Sequence, residues 1–314
     1  MELILLNAIE GVLSLLLMGL VGYILAGKGW FNKETSALLP KLVTKVSLPL
    51  FLLCNLITTF HRDDLMHMIY GVIVPMLSMM ICFVISLGLG KLCKVNKRHI
   101  GIFYSTFVAS NSIFVGLPVD IALFGEESLP YTLLYFFANT TFFWTFGNYY
   151  ISSDGDQRKV ALFSMETVKK VFSAPIIGFL TAIVIILLEI SVPDFLVKTA
   201  RYLGGMTTPL AIIFIGIVLH GIDLKKIRLD KDILLVMLGR FVISPLSIVL
   251  VTYFIPIPDL MRKIFIIQAS LPAMAQTVIL ASFYQADSEY ATILVSLSTL
   301  ASIITIPLYM VLIS

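Results

Sequence analysis

Apolar, largely uncharged stretches of about 20 residues alternate along this chain with short polar connections, the pattern of helices long enough to cross a bilayer core. Ten spans are predicted, near 3–26, 42–60, 67–90, 100–124, 130–151, 171–189, 202–220, 232–254, 264–284 and 290–313. The longest connection, SSDGDQRKVALFSMETVKK at 152–170, divides five spans from five. The chain therefore reads as an all-α polytopic membrane protein without a soluble domain: one five-helix repeat at 1–151, a central loop at 152–170 and a second repeat at 171–314. The first span has neither a basic n-region nor an A-x-A-like cleavage site, so it is taken as a mature helix.

The halves carry matching stretches in the same order. Ser47-Leu48-Pro49-Leu50 resembles Thr207-Thr208-Pro209-Leu210, Pro75-Met76-Leu77-Ser78 resembles Pro245-Leu246-Ser247, and Ala109-Ser110 resembles Ala269-Ser270. An odd number of spans per half makes the second copy enter the membrane from the opposite side. The expected architecture is two inverted repeats, the arrangement through which many secondary transporters alternate access around a midplane site.

Two segments, 110–128 and 269–289, carry prolines at 118 and 272 inside apolar sequence. Proline removes one intrahelical hydrogen bond and clashes with the preceding turn, so spans 4 and 9 are expected to break there. Freed backbone is tolerated at membrane depth only when it is buried or lines a cavity, which makes the breaks site candidates. Half-helices starting near Pro118 and Pro272 would aim their N-termini, each with about half a positive charge, at the membrane centre, where a small carboxylate fits. Candidate substrate-binding residues are Ser110, Asn111, Ser112, Gly116, Pro118, Pro272, Gln276 and Thr277. The Asn111 amide suits a ligand or a freed carbonyl, Gly116 permits close backbone approach, and Gln276 and Thr277 suit a ligand or an interhelical hydrogen bond equally.

Composition agrees with the class: 59% of residues are hydrophobic and 13% charged. The net charge of +3 is small. Sixteen basic residues (Lys28, Lys33, Lys41, Lys45, Lys91, Lys94, Lys97, Arg98, Arg158, Lys159, Lys169, Lys170, Lys225, Lys226, Arg228, Lys231) fall on one side, against Arg62, Lys198, Arg201, Arg262 and Lys263 on the other. The bias puts the first group in the cytoplasm and both termini outside, and it reads as a topology signal, not a nucleic-acid patch. Cys54, Cys82 and Cys93 show no pairing pattern, and His61, His67, His99 and His220 have no metal spacing and are assigned to interfaces. No cofactor is called for. Neither a GxSxG nor an HExxH motif occurs, so the chain is not read as an enzyme.

Several polar residues lie at membrane depth. Asp120, two positions past Pro118, is either a first-turn cap or a proton carrier. Arg240 in span 8 needs a partner, and an internal tie to a carboxylate or to helix C-terminal carbonyls is weighed above a substrate role. Lys41 and Lys45 read as snorkelling to head groups, and Glu10 as interfacial. Gln268 flanks the Pro272 break. Asn55, Asn139, Asn148, Tyr104 and Tyr284 read as packing or backbone-satisfying groups.

The run Asn111-Ser-Ile-Phe-Val-Gly116-Leu-Pro118 resembles the N-x-x-x-x-G-x-P signature of the auxin efflux carrier family, which includes plant carriers and bacterial malate and malonate carriers. Leu271-Pro272 through Ala281, Tyr284 and Asp287 to Pro307 is similar to that family's ninth and tenth helices. The resemblance implies that helices 4 and 9 cross, that a mobile transport domain (helices 3–5 and 8–10) works against a scaffold (helices 1, 2, 6 and 7), and that the protein is a homodimer in the cell membrane. One departure is that Val278 lies where plant carriers have a second proline. The reading that results is a secondary transporter of small organic anions of the malate or malonate kind. The alternative is an anion channel or a transport-inactive sensor on the same fold.

Overall fold

A computed structural model describes residues 2–60, 69–155, 161–162, 169, 171–221 and 229–313. Of the residues singled out above, His61, Arg62, His67, Arg158, Lys159, Lys170, Lys225, Lys226 and Arg228 lie outside the described residues, as do the side chains of Glu10 and Lys33. Named strands are absent among the described residues; the helices run α1 Glu2–Gly27, α2 Lys33–Leu42, α3 Leu48–Thr59, α4 Ile73–Leu92, α5 Ile100–Val108, α6 Leu117–Phe124, α7 Leu129–Phe142 and α8 Asn148–Asp154. They continue with α9 Ala174–Leu187, α10 Asp194–Gly204, α11 Thr207–His220, α12 Lys231–Leu238, α13 Ser244–Phe254, α14 Asp259–Ala269, α15 Gln276–Phe283 and α16 Ser288–Ile313.

Five helical runs among the described residues are long and apolar enough to cross a membrane, Thr35–Thr59, Tyr70–Leu92, Asp194–His220, Lys231–Phe254 and Ser288–Ile313. Ser14–Gly27, Ser112–Phe124 and Ala174–Leu187 are shorter apolar helices. With Tyr202, Tyr253, Phe254 and Leu312 exposed, this is the apolar outer surface of a multi-pass membrane protein. The second helix starts well before the expected residue 42, because Asn32 and Thr35 form a reciprocal capping box at 2.8 Å. The expected span at 202–220 falls within the helical run Asp194–His220, in which a turn at Gly205-Met206 joins α10 to α11.

The prolines do not all break helices. Of the four wide π-type turns among the described residues, Val43–Ser47, Ser112–Gly116 and Gly239–Ile243 are each followed two residues later by a proline, Pro49, Pro118 or Pro245, whereas Phe143–Gly147 is not. One extra residue in the turn moves the carbonyl that the pyrrolidine ring would strike and skips the missing N–H, so the helix continues. Pro118, expected at a break, therefore sits inside a helical run that began at Ser112.

The chain forms two compact units. The first comprises Met1–Tyr70, Ile113–Leu133 and Phe172–Ile222. Within it α1 and α11 meet backbone to backbone, since Gly22 lies against Ile213 and Gly216 against Gly19 with no room for a Cβ. Small residues at such contacts are the usual membrane solution, because lipid offers no hydrophobic drive to bring helices together. The second unit comprises Gly71–Ser112, Leu134–Val171 and Asp223–Ser314. Its buried interior includes Phe103, Phe107, Tyr135, Phe143 and Phe265. Ser78 of α4 and Ser247 of α13, from two matching stretches of the halves, share a hydrogen bond of 2.6 Å.

Candidate functional site

Both interruptions lie in the second unit, and they pair with each other. α5 ends at Val108, and Ala109 turns the chain extended at φ −81°, ψ 128°. α14 ends at Ala269, and helix resumes only at Gln276. Ser110 and Ala273 form an antiparallel bridge. The Asn111 N–H donates to the Pro272 carbonyl at 2.9 Å, and the Met274 N–H to the Ala109 carbonyl at 3.2 Å. Each break thus satisfies part of the other's freed backbone, a requirement where no water competes.

Side chains complete the pairing. The Asn139 amide accepts from the Ser110 N–H at 2.9 Å and donates to the Ser110 carbonyl at 2.8 Å, and the Ser298 hydroxyl accepts from the Ala273 N–H at 3.0 Å. The hydroxyls of Ser110 and Ser112 bond at 2.9 Å, and Gln268 Nε2 donates to the Ser112 carbonyl at 3.4 Å. Arg240, fully buried, donates to the carbonyls of Val108, Ala269 and Leu271 at 2.6–3.1 Å. Its fork thus lies against backbone carbonyls.

Three side chains beside the breaks keep unused hydrogen-bonding capacity. The Asn111 amide, 7% exposed, makes no hydrogen bond among the described residues. Gln276 Oε1 and the buried Thr277 hydroxyl, at the start of α15, have no partner there either. Backbone donors at that helix start are fewer than expected, because the N–H groups of Thr277 and Val278 close tight turns to Met274 and Ala275. The unused hydrogen-bonding capacity there lies more in side chains than in these two N–H groups.

The remaining candidates belong to the first unit. Gly116 closes the π turn and Pro118 follows it, five and seven residues beyond Asn111. Asp120 is in the first α turn of α6, yet helical chain already runs from Ser112, so it is two turns from the break. It is fully buried and accepts from the Thr132 hydroxyl at 2.6 Å.

The sequence profile of an auxin efflux carrier-like family, described as membrane transport protein, matches residues 7–310. The chain belongs to that family. It is similar to an uncharacterized transporter of Methanothermobacter thermautotrophicus, 27% identical over 98% of this chain and 99% of the relative. An uncharacterized transporter of Methanocaldococcus jannaschii is 23% identical over 95% of this chain and 96% of its own.

Sequence reasoning missed a polar cluster in this membrane transport protein. His99, assigned to an interface, is buried in the second unit with Nε2 3.2 Å from Asp232 and Nδ1 3.5 Å from Asp287, and it stacks on Tyr290 at 3.6 Å. Asp154, at the end of α8, accepts from the N–H groups of Gly101 and Ile102 at 2.9 and 2.8 Å. It caps α5 from a distant part of the chain, and burial pushes its carboxyl up to about 6 although both N–H bonds pull the other way. Lys231, counted only as a topology signal, donates to the Cys93 carbonyl just past α4 at 2.7 Å. The one local hint was a histidine directly before a helix start, because the partners lie 53 to 188 residues away.

Proposed function

We propose that this protein is a ten-span secondary transporter of small organic anions, mono- or dicarboxylates of the malate or malonate kind, binding them where helices 4 and 9 cross. The observation that carries the reading is the set of unpartnered Asn111, Gln276 and Thr277 side chains beside the paired breaks. Unused polar groups at membrane depth are costly, on the order of 1–3 kcal/mol each, unless a ligand or water completes them. All three can donate to a carboxylate, and the start of α15 adds partial positive charge. Family membership and relatives named as transporters support the general class.

The finer organisation follows from the same reading. The halves are inverted repeats with both termini outside the cell membrane, helices 3–5 and 8–10 move against a scaffold of helices 1, 2, 6 and 7, and the assembly is a homodimer. Anion export in a cell negative inside gains about 2.3 kcal/mol per charge per 100 mV. The deciding experiment is uptake of labelled malate and malonate into proteoliposomes, with and without a pH gradient, plus counterflow. Saturable uptake with counterflow is expected. Flux without counterflow makes the protein a channel, and no flux of any small carboxylate overturns the substrate class.

A further inference from the structure

Two helix ends of the same sign meet at one side chain. α5 stops at Val108 and α14 at Ala269, and the last carbonyls of a helix carry roughly half a negative charge. Together the two ends would leave about one negative charge inside the membrane. In several transporter folds, unwound carbonyls and half-helix C-termini of this kind coordinate an alkali cation.

Here the position is filled by protein. Arg240 Nη1 donates to the Val108 carbonyl at 2.6 Å, Nη2 to those of Ala269 and Leu271 at 2.8 and 2.9 Å, and Nε again to Leu271 at 3.1 Å. These carbonyls are its hydrogen-bond partners, and no carboxylate pairs with it among the described residues. Sequence places the group there by two local devices. The wide turn Gly239–Ile243, two residues before Pro245, contains Arg240, and Gly239, with no side chain, lets the helix approach the Phe107 ring of α5.

We infer that Arg240 is a positioning residue that acts as a resident cation: its guanidinium occupies the place an alkali cation would take between the C-terminal ends of the two interrupted helices, and the carrier therefore needs none. One full charge balances two half charges, so the positive start of α15 is left uncompensated. The planar fork also fixes how far apart the helix ends stand, which a spherical ion does less strictly. This inference uses the second unit alone and does not depend on which solute is carried.

The test is thermal unfolding of the purified full-length protein in detergent, in sodium, potassium or choline chloride at equal ionic strength. The wild type should unfold at one temperature in all three; a midpoint raised by sodium or potassium over choline overturns the inference. Arg240→Ala should lose about 10 °C and recover part of it with millimolar guanidinium chloride but not with millimolar urea, which is planar and uncharged. Equal effects of guanidinium and urea, or none from either, also overturn it. Should that variant not fold, Arg240→Lys, which keeps the charge, must unfold at a higher temperature than Arg240→Gln, and the reverse order refutes a role for charge. A Lys variant that matches the wild type while losing cation independence would count against it as well. The thermal readout stands even if malate and malonate are not carried.

Discussion

Two asparagines close to the same break should respond in opposite ways to loss of the amide. Asn139 is fully buried, and its side chain takes both backbone groups of Ser110, at 2.9 and 2.8 Å. Asn139→Ala leaves a buried N–H and a buried carbonyl without partners, at about 1–3 kcal/mol each, so about 2–6 kcal/mol in all. At about 2–4 °C per kcal/mol, the unfolding midpoint should fall by about 4–24 °C. Asn111 makes no side-chain hydrogen bond among the described residues, so Asn111→Ala removes none and should shift the midpoint by no more than about 2 °C. It should instead abolish most saturable malonate uptake and counterflow, since the ligand loses a donor that only it uses. Both measurements are made on the same purified protein, by fluorescence-monitored melting and in proteoliposomes. A wild-type midpoint for Asn139→Ala would mean that the Ser110 backbone is satisfied another way. Normal uptake by Asn111→Ala would move the ligand away from the paired breaks.

Other outcomes are expected from groups further along the chain. The Asp154 carboxyl titrates near 6 when folded, against about 3.9 unfolded, so the folded state holds the proton more tightly. The contribution of this group to stability should be greatest at low pH and fall by about 3 kcal/mol as pH rises from 4 to 6, a component that Asp154→Asn removes; an unchanged pH profile in that variant assigns the dependence to other groups. Asp120→Asn retains an acceptor for Thr132 but cannot titrate: a structural cap predicts near-normal transport at every pH, a proton carrier predicts loss of the pH-gradient response with counterflow retained, and normal gradient-driven uptake rules out the carrier role. Single cysteines at Ser153 and Ser314 in a cysteine-free background should label from inside and outside respectively, and labelling from the same side would sink the inverted repeat.

Much of the class was legible because it rests on local properties. Apolar length marks helices that can cross a bilayer, and a proline disturbs its own turn wherever it sits. The Ala109-Ser110 and Ala269-Ser270 pairs, noticed as a repeat, are where α5 and α14 end. What proline does next is not local. Pro272 lies in an open break, whereas Pro49, Pro118 and Pro245 follow wide turns and leave the helix running. A break persists only where its carbonyls and N–H groups find partners, and those come from Asn139, Arg240, Ser298 and the opposite break, up to 165 residues away. The cluster around His99, and Asp154 at the start of α5, likewise depend on helices brought together by packing. Spacing along one helix encodes its own turns, but it carries no record of which distant carboxylate or guanidinium will face its ends. The chemistry of each break was therefore in the sequence, while the tertiary structure decided which freed groups were satisfied and which three side chains, Asn111, Gln276 and Thr277, keep unused hydrogen-bonding capacity among the described residues.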